Sequence, residues 1–514
     1  MLTGYKQKCS VVILLCVIVL LLVSLGSAYA AATWINLSSG KFYHYSVQPS
    51  SSYPDRWGVN INGTDFSDGA KLTDGITDMM PPASKPPLGA RVGLRSRVTN
   101  TTSPASSNWC GWYNSGVVVT VDLGQVYAIN EVVLHSCSET SCGIYYPGAA
   151  SLSVSQDNVN YTAWGSSESF PSNTGGMSAD SAVWTPGWVN ARYVRFNVTE
   201  GAVNSWMFLD ELMVYGTCPN SPWKLAPSTG CYHGAYPTDS YNYLDIPTFE
   251  TPANKTIRTA LWYADCSNTY TNEIGWIITD GVLDTRYFEI GWEPENETSS
   301  QLATGVLDAF WYTWFQACAS QNYPIFLRPM SEMNGSWTWP NGGTALQWGG
   351  NPQSYKWAWQ RMYNIAQAAG ATGTNQIFVW SPDVNPGASG VTPRNLTLYY
   401  PGEQYVDWVG CSCYAWTPGV SSFESLLSTW YSLYSANKPL MISEGGSQED
   451  SSDPNWKGNT WIHDWFYCTE NSYPDIKQVV WFNDIAGNDF AIQTSANSTA
   501  KYALYDQPSY FIGK

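Results

Sequence analysis

The sequence predicts two folds in series, an all-β sandwich over residues 34–216 and a (β/α)8 barrel over residues 230–514. Three observations carry this reading. The first half consists of short alternating runs punctuated by Gly, Asn, Ser and Pro, with few helical patterns, as antiparallel sandwiches do. The second half alternates apolar strand-type runs with helical stretches, as parallel barrels do. Two of those runs, Pro324-Ile-Phe-Leu-Arg-Pro-Met-Ser-Glu332 and Lys438-Pro-Leu-Met-Ile-Ser-Glu444, each end by delivering a glutamate.

In chain order, the N terminus carries Lys6 and Lys8, an apolar run from Val11 to Val23, and then Ser27-Ala-Tyr-Ala30. That is a secretory signal, residues 1–30, cut after Ala30; the run falls short of the about 20 residues a spanning helix needs, retention as an anchor being the alternative. The mature chain is expected to be secreted or at the cell surface, without membrane insertion, and monomeric. Sandwich strands are expected at Val117–Leu123, Glu131–His135, Ser151–Ser155, Arg192–Val198 and Glu211–Tyr215, and residues 217–229 read as a linker. Barrel strands are expected at Gly230–Gly234, Ile257–Trp262, Tyr287–Gly291, Pro324–Pro329, Gln376–Ser381, Val406–Cys411, Pro439–Ser443 and Gln478–Phe482, with helices at 303–320, 354–369, 422–435 and 458–470. Ten of the twelve cysteines follow the signal, an even number that reads as disulfides in an exported chain. Cys137/Cys142 and Cys218/Cys231 are close enough in sequence for short closures, though sequence does not fix connectivity, whereas Cys411 and Cys413 share one strand face and read as core residues or partners of other cysteines rather than a pair. Asn-x-Ser/Thr sequons recur from Asn36 to Asn497 as glycosylation candidates; Asn334 is excepted because it lies beside Glu332.

Composition narrows the function. The net charge of -17 argues against nucleic acid and anionic membrane surfaces. Charged residues make up 13% of the chain and aromatics 15%, and many of the 27 Trp and 34 Tyr fall in Gly-, Ser- and Asn-rich segments. Uncharged loops rich in Tyr and Trp suit a neutral polysaccharide, because these rings offer an apolar face with a polar handle. Only four His occur and no Cys/His spacing suggests zinc, so no cofactor is expected for catalysis.

On the strand count, Glu332 ends the fourth barrel strand and Glu444 the seventh. Barrel active sites form at the C-terminal ends of strands, so both carboxyls should face one cleft. Paired carboxyls cleave glycosidic bonds: one protonates the leaving oxygen and the other attacks the sugar carbon, at a separation of about 5–5.5 Å. Trp337 and Trp339 would offer faces to sugar rings, and Trp416 is a platform or a loop core. Glu289, Glu293 and Glu295 form a second acidic group, read as rim or hydrogen-bonding residues. Asp407 should satisfy buried backbone or an Arg, Asp383 and Asp484 are strand-end cleft candidates, and His233 reads as structural.

The first half resembles the discoidin (coagulation factor 5/8 type C) fold, which includes family 32 carbohydrate-binding modules. The matching residues are Lys71-Leu-Thr-Asp-Gly75, Val119-Thr-Val-Asp-Leu-Gly124, Ile129-Asn-Glu-Val-Val133, Ser153-Val-Ser-Gln-Asp157, Ala191-Arg-Tyr-Val-Arg-Phe196 and Leu209-Asp-Glu-Leu-Met-Val-Tyr-Gly216. The resemblance implies a carbohydrate-binding jelly roll and a structural Ca2+ held by Asp74. The second half resembles glycoside hydrolase family 26, best known for β-mannanases, through Arg328-Pro-Met-Ser-Glu-Met-Asn-Gly-Ser-Trp337, Trp380-Ser-Pro382, Tyr400-Pro-Gly402, Tyr405-Val-Asp-Trp-Val-Gly410 with Tyr414, Lys438-Pro439 through Glu444, and Trp481. It implies Glu332 as general acid/base with a raised pKa and Glu444 as ionised nucleophile. Tyr414 would hydrogen-bond the nucleophile, Arg328 would keep it charged, Asn334 and Trp337 would line the cleft, and Trp481 would stack beneath the sugar. One position departs: Ser331 stands where the family has a substrate-binding His. The implied activity is a secreted retaining endo-β-glycanase with β-1,4-mannan as first substrate. The alternatives are a β-1,3/1,4-glucanase, a xylanase, a hydrolase of a cell-surface glycan, and a non-catalytic glycan-binding protein.

Overall fold

The computed structural model describes residues 33–77, 109–173, 175–218, 223–237, 246–275, 286–321, 323–335, 346–373, 376–384, 393–416, 419, 421–484 and 489–514. The signal (1–30), Asn100, linker residues 219–222, Trp337 and Trp339 lie outside the described residues. No helix among the described residues is long and apolar enough to cross a membrane.

The first domain is an antiparallel sandwich whose sheet runs from Thr33–Asn36, paired with Trp206–Cys218, to Thr162–Ala163. Val117–Leu123 and Glu131–His135 prove to be parts of one strand, Val117–Ser138, which runs on through the bend at Gly124. Its first part pairs with Val189–Val198 and its second with Trp206–Cys218 and Ser178–Trp184, so one chain segment serves both layers. Strict alternation over Val117–Leu123 buries Val117, Val119, Val121 and Leu123 with Phe196 and Leu212 in the core.

The second domain is a closed barrel of eight parallel strands: β1 (Cys231–Tyr236), β2 (Thr259–Asp265), β3 (Tyr287–Glu293), β4 (Ile325–Pro329), β5 (Gln376–Trp380), β6 (Trp408–Ala415), β7 (Leu440–Ser447) and β8 (Ile476–Phe482). Each pairs with the next, and β8 pairs with β1, which also pairs with β2. The strands are buried nearly throughout because helices cover the outside and side chains fill the inside. The main helices are α1 (Ile246–Ala253), α2 (Asp308–Gln321), α3 (Pro352–Ala368), α4 (Phe423–Tyr434), α5 (His463–Asn471) and α6 (Ala496–Tyr505). The start of α3 is fixed locally: Asn351 accepts hydrogen bonds from the Gln353 and Ser354 amides, and Pro352 needs no partner for an N–H.

None of the ten described cysteines is in a disulfide, which corrects the disulfide reading. The fold disperses the candidates. Cys137 is buried in the sandwich sheet while Cys142 is exposed on a turn; Cys218 closes that sheet while Cys231 opens β1. Cys411 and Cys413 are core residues of β6, as expected.

Candidate active site

Both glutamates depend on local distortions. After β4 the chain turns sharply, with Met330 and Glu332 at φ of 50° and 51°. Non-glycine residues seldom adopt this region, at a cost of about 1–3 kcal/mol each, so surrounding contacts must hold the turn. They do. The Glu332 amide donates to Ser381 O at 2.9 Å, and Trp348 Nε1 donates to Ser331 O at 3.1 Å. Tyr355 OH donates to Met330 O at 3.3 Å. The Asn334 amide makes two bonds to the Asp383 backbone, at 2.7 and 2.9 Å. On β7 the register with β6 slips so that Glu444, not Ser443, comes opposite Ser412. Such a bulge re-aims the following side chain. Gly445 permits the close approach, since a Cβ there would stand 2.3 Å from Cys413 O.

The two carboxyls lie close enough for each to shift the protonation of the other, through charge and a side-chain hydrogen bond. Arg328 Nη2 donates to Glu444 Oε2 at 2.6 Å, Tyr263 OH donates to the same oxygen, and Ser412 Oγ donates to Oε1 at 3.3 Å. Burial alone would raise the Glu444 carboxyl. The Arg328 charge, with hydrogen bonds from Glu332, Tyr263 and Arg328, instead holds it below the ordinary glutamate value. At Glu332 burial, then the charges of Glu444 and Asp383, push the carboxyl well above the usual range. One carboxyl is thus kept ionised and its neighbour protonated, the division of labour that acid and nucleophile require.

The expectations divide. Arg328 takes its expected place, fully buried against Glu444 and also 3.5 Å from Glu289. A phenol bond to Glu444 comes from Tyr263 on β2. Tyr414 feels the charge of Glu444 and packs on Trp416 and Phe490, each with a ring separation of 5.0 Å. Asn334 does not line the cleft: it is fully buried, tying the acid turn to the end of β5. Trp481 is also corrected. It is fully buried on the outer face of β8, against Trp465 and Tyr502, and donates to Phe490 O at 2.9 Å. Its neighbour Phe482 faces the other way and stacks on Tyr236 at 4.7 Å. His233 is structural, bonded to Thr256 O and Tyr502 OH, and burial lowers its pKa to about 4. Glu289 lies beneath Arg328, bonded to Gln478 and raised by burial to about 8. Ser331 Oγ reaches Glu293 Oε1 at 3.4 Å. Asp407 caps the Phe378 amide and pairs with Lys224. Trp416 remains 42% exposed at the cleft. Tyr263 was missed because the second strand was expected to end at Trp262. One more residue on the inward face shared with Leu261 would have found it.

Asp74 lies in the sandwich. Its carboxylate pairs with Arg56 and accepts from the Ile76 amide at 2.8 Å. Beside it, Glu211 Oε2 accepts from the Gly75 amide at 3.1 Å, while buried Oε1 has no hydrogen-bond partner among the described residues. Burial raises both carboxyls, and the charge of Asp74 adds to the rise at Glu211. Two acids against one guanidinium fit a cation. No group of three His, Cys, Asp or Glu able to hold a metal occurs among the described residues.

The barrel and its paired carboxyls at the ends of β4 and β7 have the layout of two-carboxylate barrel glycosidases. Sequence comparison agrees with that class. Residues 293–480 match the glycosyl hydrolase family 26 model and residues 90–212 match the F5/8 type C domain model. Among curated relatives, Endoglucanase H of Acetivibrio thermocellus is 30% identical over 224 residues, 41% of this chain and 23% of that protein. Mannan endo-1,4-beta-mannosidase of Bacillus subtilis is 31% identical over 137 residues, 26% of this chain and 33% of that protein. Beta-1,3-xylanase of an Alcaligenes species is 27% identical over 154 residues, 30% of this chain and 29% of that protein. The chain thus spans about a quarter to a third of the length of these relatives.

Proposed function

We propose that the protein is a secreted retaining endo-β-glycanase, with Glu332 as acid/base, Glu444 as nucleophile and β-1,4-mannan as first substrate. The observation that carries this is that Arg328, Tyr263 and Ser412 converge on Glu444, while Glu332 interacts with it and is pushed the opposite way in protonation. Inverting enzymes keep their carboxyls about 6.5–9.5 Å apart to admit a water between them, and a pair close enough to interact favours the retaining path. In the first step Glu332 gives its proton to the glycosidic oxygen while Glu444 attacks the anomeric carbon. The bond to the leaving sugar breaks and a glycosyl-enzyme ester forms. In the second step the Glu332 carboxylate takes a proton from water, the water oxygen attacks the same carbon, and Glu444 leaves. Arg328 and Tyr263 hold Glu444 in place and charged throughout.

Mannan comes first because two of the relatives above the xylanases in similarity, from Bacillus subtilis and Caldalkalibacillus mannanilyticus, are mannan endo-1,4-beta-mannosidases. Ser331 favours a second reading, a β-glucan or xylan substrate, because a short hydroxyl bonded toward Glu293 replaces the family's substrate-binding His. Endoglucanase H and the beta-1,3-xylanase are relatives of matching kind. In the sandwich, Asp74 with Glu211 would hold a structural calcium. The test is reducing-end release from mannan, mixed-linkage glucan, xylan and laminarin by the wild type, Glu332→Gln and Glu444→Gln. Activity on one polymer that both substitutions abolish supports the proposal and chooses the substrate. Binding without release by the wild type on every polymer sinks it in favour of a glycan-binding protein.

A further inference from the structure

The outer face of α3 is buried by the sandwich, although the corresponding face of a lone barrel helix meets water. Trp357, Gln360, Arg361, Asn364 and Gln367 recur at helical spacing along that face. Trp357 Nε1 donates to Asp74 O at 3.2 Å, and its ring packs on Trp57 at 5.2 Å. Arg361 grips Asp308 of α2 with two nitrogens and donates to the carbonyls of Trp57 and Gly58 at 2.5 and 3.0 Å. Asn364 Nδ2 donates to Gly40 O at 2.7 Å, and its Oδ1 accepts from Lys41 Nζ at 3.4 Å. Gly40 has φ of 75°, and a Cβ there would stand 2.3 Å from Gln360 Oε1, so the two domains fit closely at that point. Lys41, Gln360, Arg361 and Asn364 are all less than a tenth exposed. A module on a loose tether does not bury its partner's polar side chains in this way.

The inner face of the same helix reaches the acid turn. Tyr355 OH donates to Met330 O, one of the contacts that keep Met330 and Glu332 at positive φ. We propose that the sandwich is a positioning element for the acid/base glutamate: by fixing the outer face of α3 it holds, through Tyr355, the strained turn that carries Glu332. This rests on the catalytic reading above. It adds a role for the sandwich distinct from polysaccharide capture, and Trp357 and Asn364 are positioning residues under it.

The test uses the full chain and two aryl glycosides of the sugar that the wild type hydrolyses. One carries 2,4-dinitrophenol, which leaves without protonation; the other carries phenol, which needs the acid. The value compared is kcat/KM, which reports the first step. The variant is Trp357→Ala with Asn364→Ala. The expected result is a dinitrophenyl rate within about twofold of wild type and a phenyl rate down about tenfold or more, a part of the about 10²–10⁴-fold that general acid catalysis contributes. Equal losses on both substrates, or none on either, overturn the proposal. If the double variant does not fold, Lys41→Met, which leaves α3 unaltered, is compared by the same two rates. A wild type silent on every glycoside fails the catalytic reading itself, a result distinct from either variant outcome.

Discussion

Replacing Arg328 by Met tests the electrostatics of the site most directly. Arg328 Nη2 stands 2.6 Å from Glu444 Oε2 with both side chains nearly or fully buried. Coulomb's law at an effective dielectric of about 20 gives an attraction of about 6 kcal/mol at that distance. Shifts caused by an opposite charge this close run to about 1–3 pKa units, or about 1.4–4 kcal/mol, and the smaller range is the better guide here because Tyr263 and Ser412 continue to stabilise the carboxylate. The sign follows from the chemistry. Glu444 must be ionised to attack, so a higher Glu444 pKa requires a higher pH for activity. The acid limb of kcat/KM should therefore move up by about 1–3 pH units. The basic limb, set by Glu332, should move less. Losing one partner of a buried ion pair also costs about 3–5 kcal/mol of stability, so rates are compared where the circular dichroism spectrum is unchanged. Arg328→Lys, which keeps the charge, should shift the limb by less than Met does. If Arg328→Met lowers activity equally at every pH and leaves the acid limb in place, Arg328 does not keep Glu444 ionised and the argument fails.

Three further outcomes are expected. Tyr263→Phe removes one hydrogen bond from Glu444 and should lower kcat/KM while raising the acid limb in the same direction as Arg328→Met, but by less, because a neutral donor stabilises a carboxylate less than a guanidinium does; an unshifted limb would count against the Tyr263 contact. Trp481→Ala should cost about 3–5 kcal/mol of stability, seen as a lower melting temperature, with KM little changed, because Trp481 is fully buried; a rise in KM without loss of stability would return it to the cleft. Added Ca2+ should raise the melting temperature and a chelator lower it, with both effects lost in Asp74→Asn, if a cation joins Asp74 and Glu211; indifference to both would leave Arg56 as the sole balancing charge.

Much of the barrel and the facing pair of glutamates could be read from the chain alone. Parallel strands buried on both faces leave uninterrupted apolar runs, and each run with its exit residue is a local feature. The eight strands therefore fell within a few residues of their expected places, with Glu332 and Glu444 at the fourth and seventh exits. What was misread turns on side-chain direction. Because side chains alternate along a strand, one position separates inside from outside: Trp481 faces the helices, while Phe482, at the next position, stacks on Tyr236. Stopping the second strand at Trp262 hid Tyr263 for the same reason. The cysteines were misjudged because parity of number carries no distances, and the fold sends the close pairs to different surroundings.

The sequence by itself determined the two fold classes, the eight strands and the two strand-end glutamates, since these depend on periodicity and on residue types at strand ends; Arg328 came from the family resemblance. Tertiary structure alone decided that Tyr263 bonds Glu444, that Asn334 and Trp481 serve the framework, and that the sandwich grips α3 behind the acid turn. Those outcomes depend on contacts between residues as far apart as Lys41 and Asn364, or Tyr263 and Glu444. Local pattern has no access to such pairs, because they are set by how the strands close and how the two domains meet.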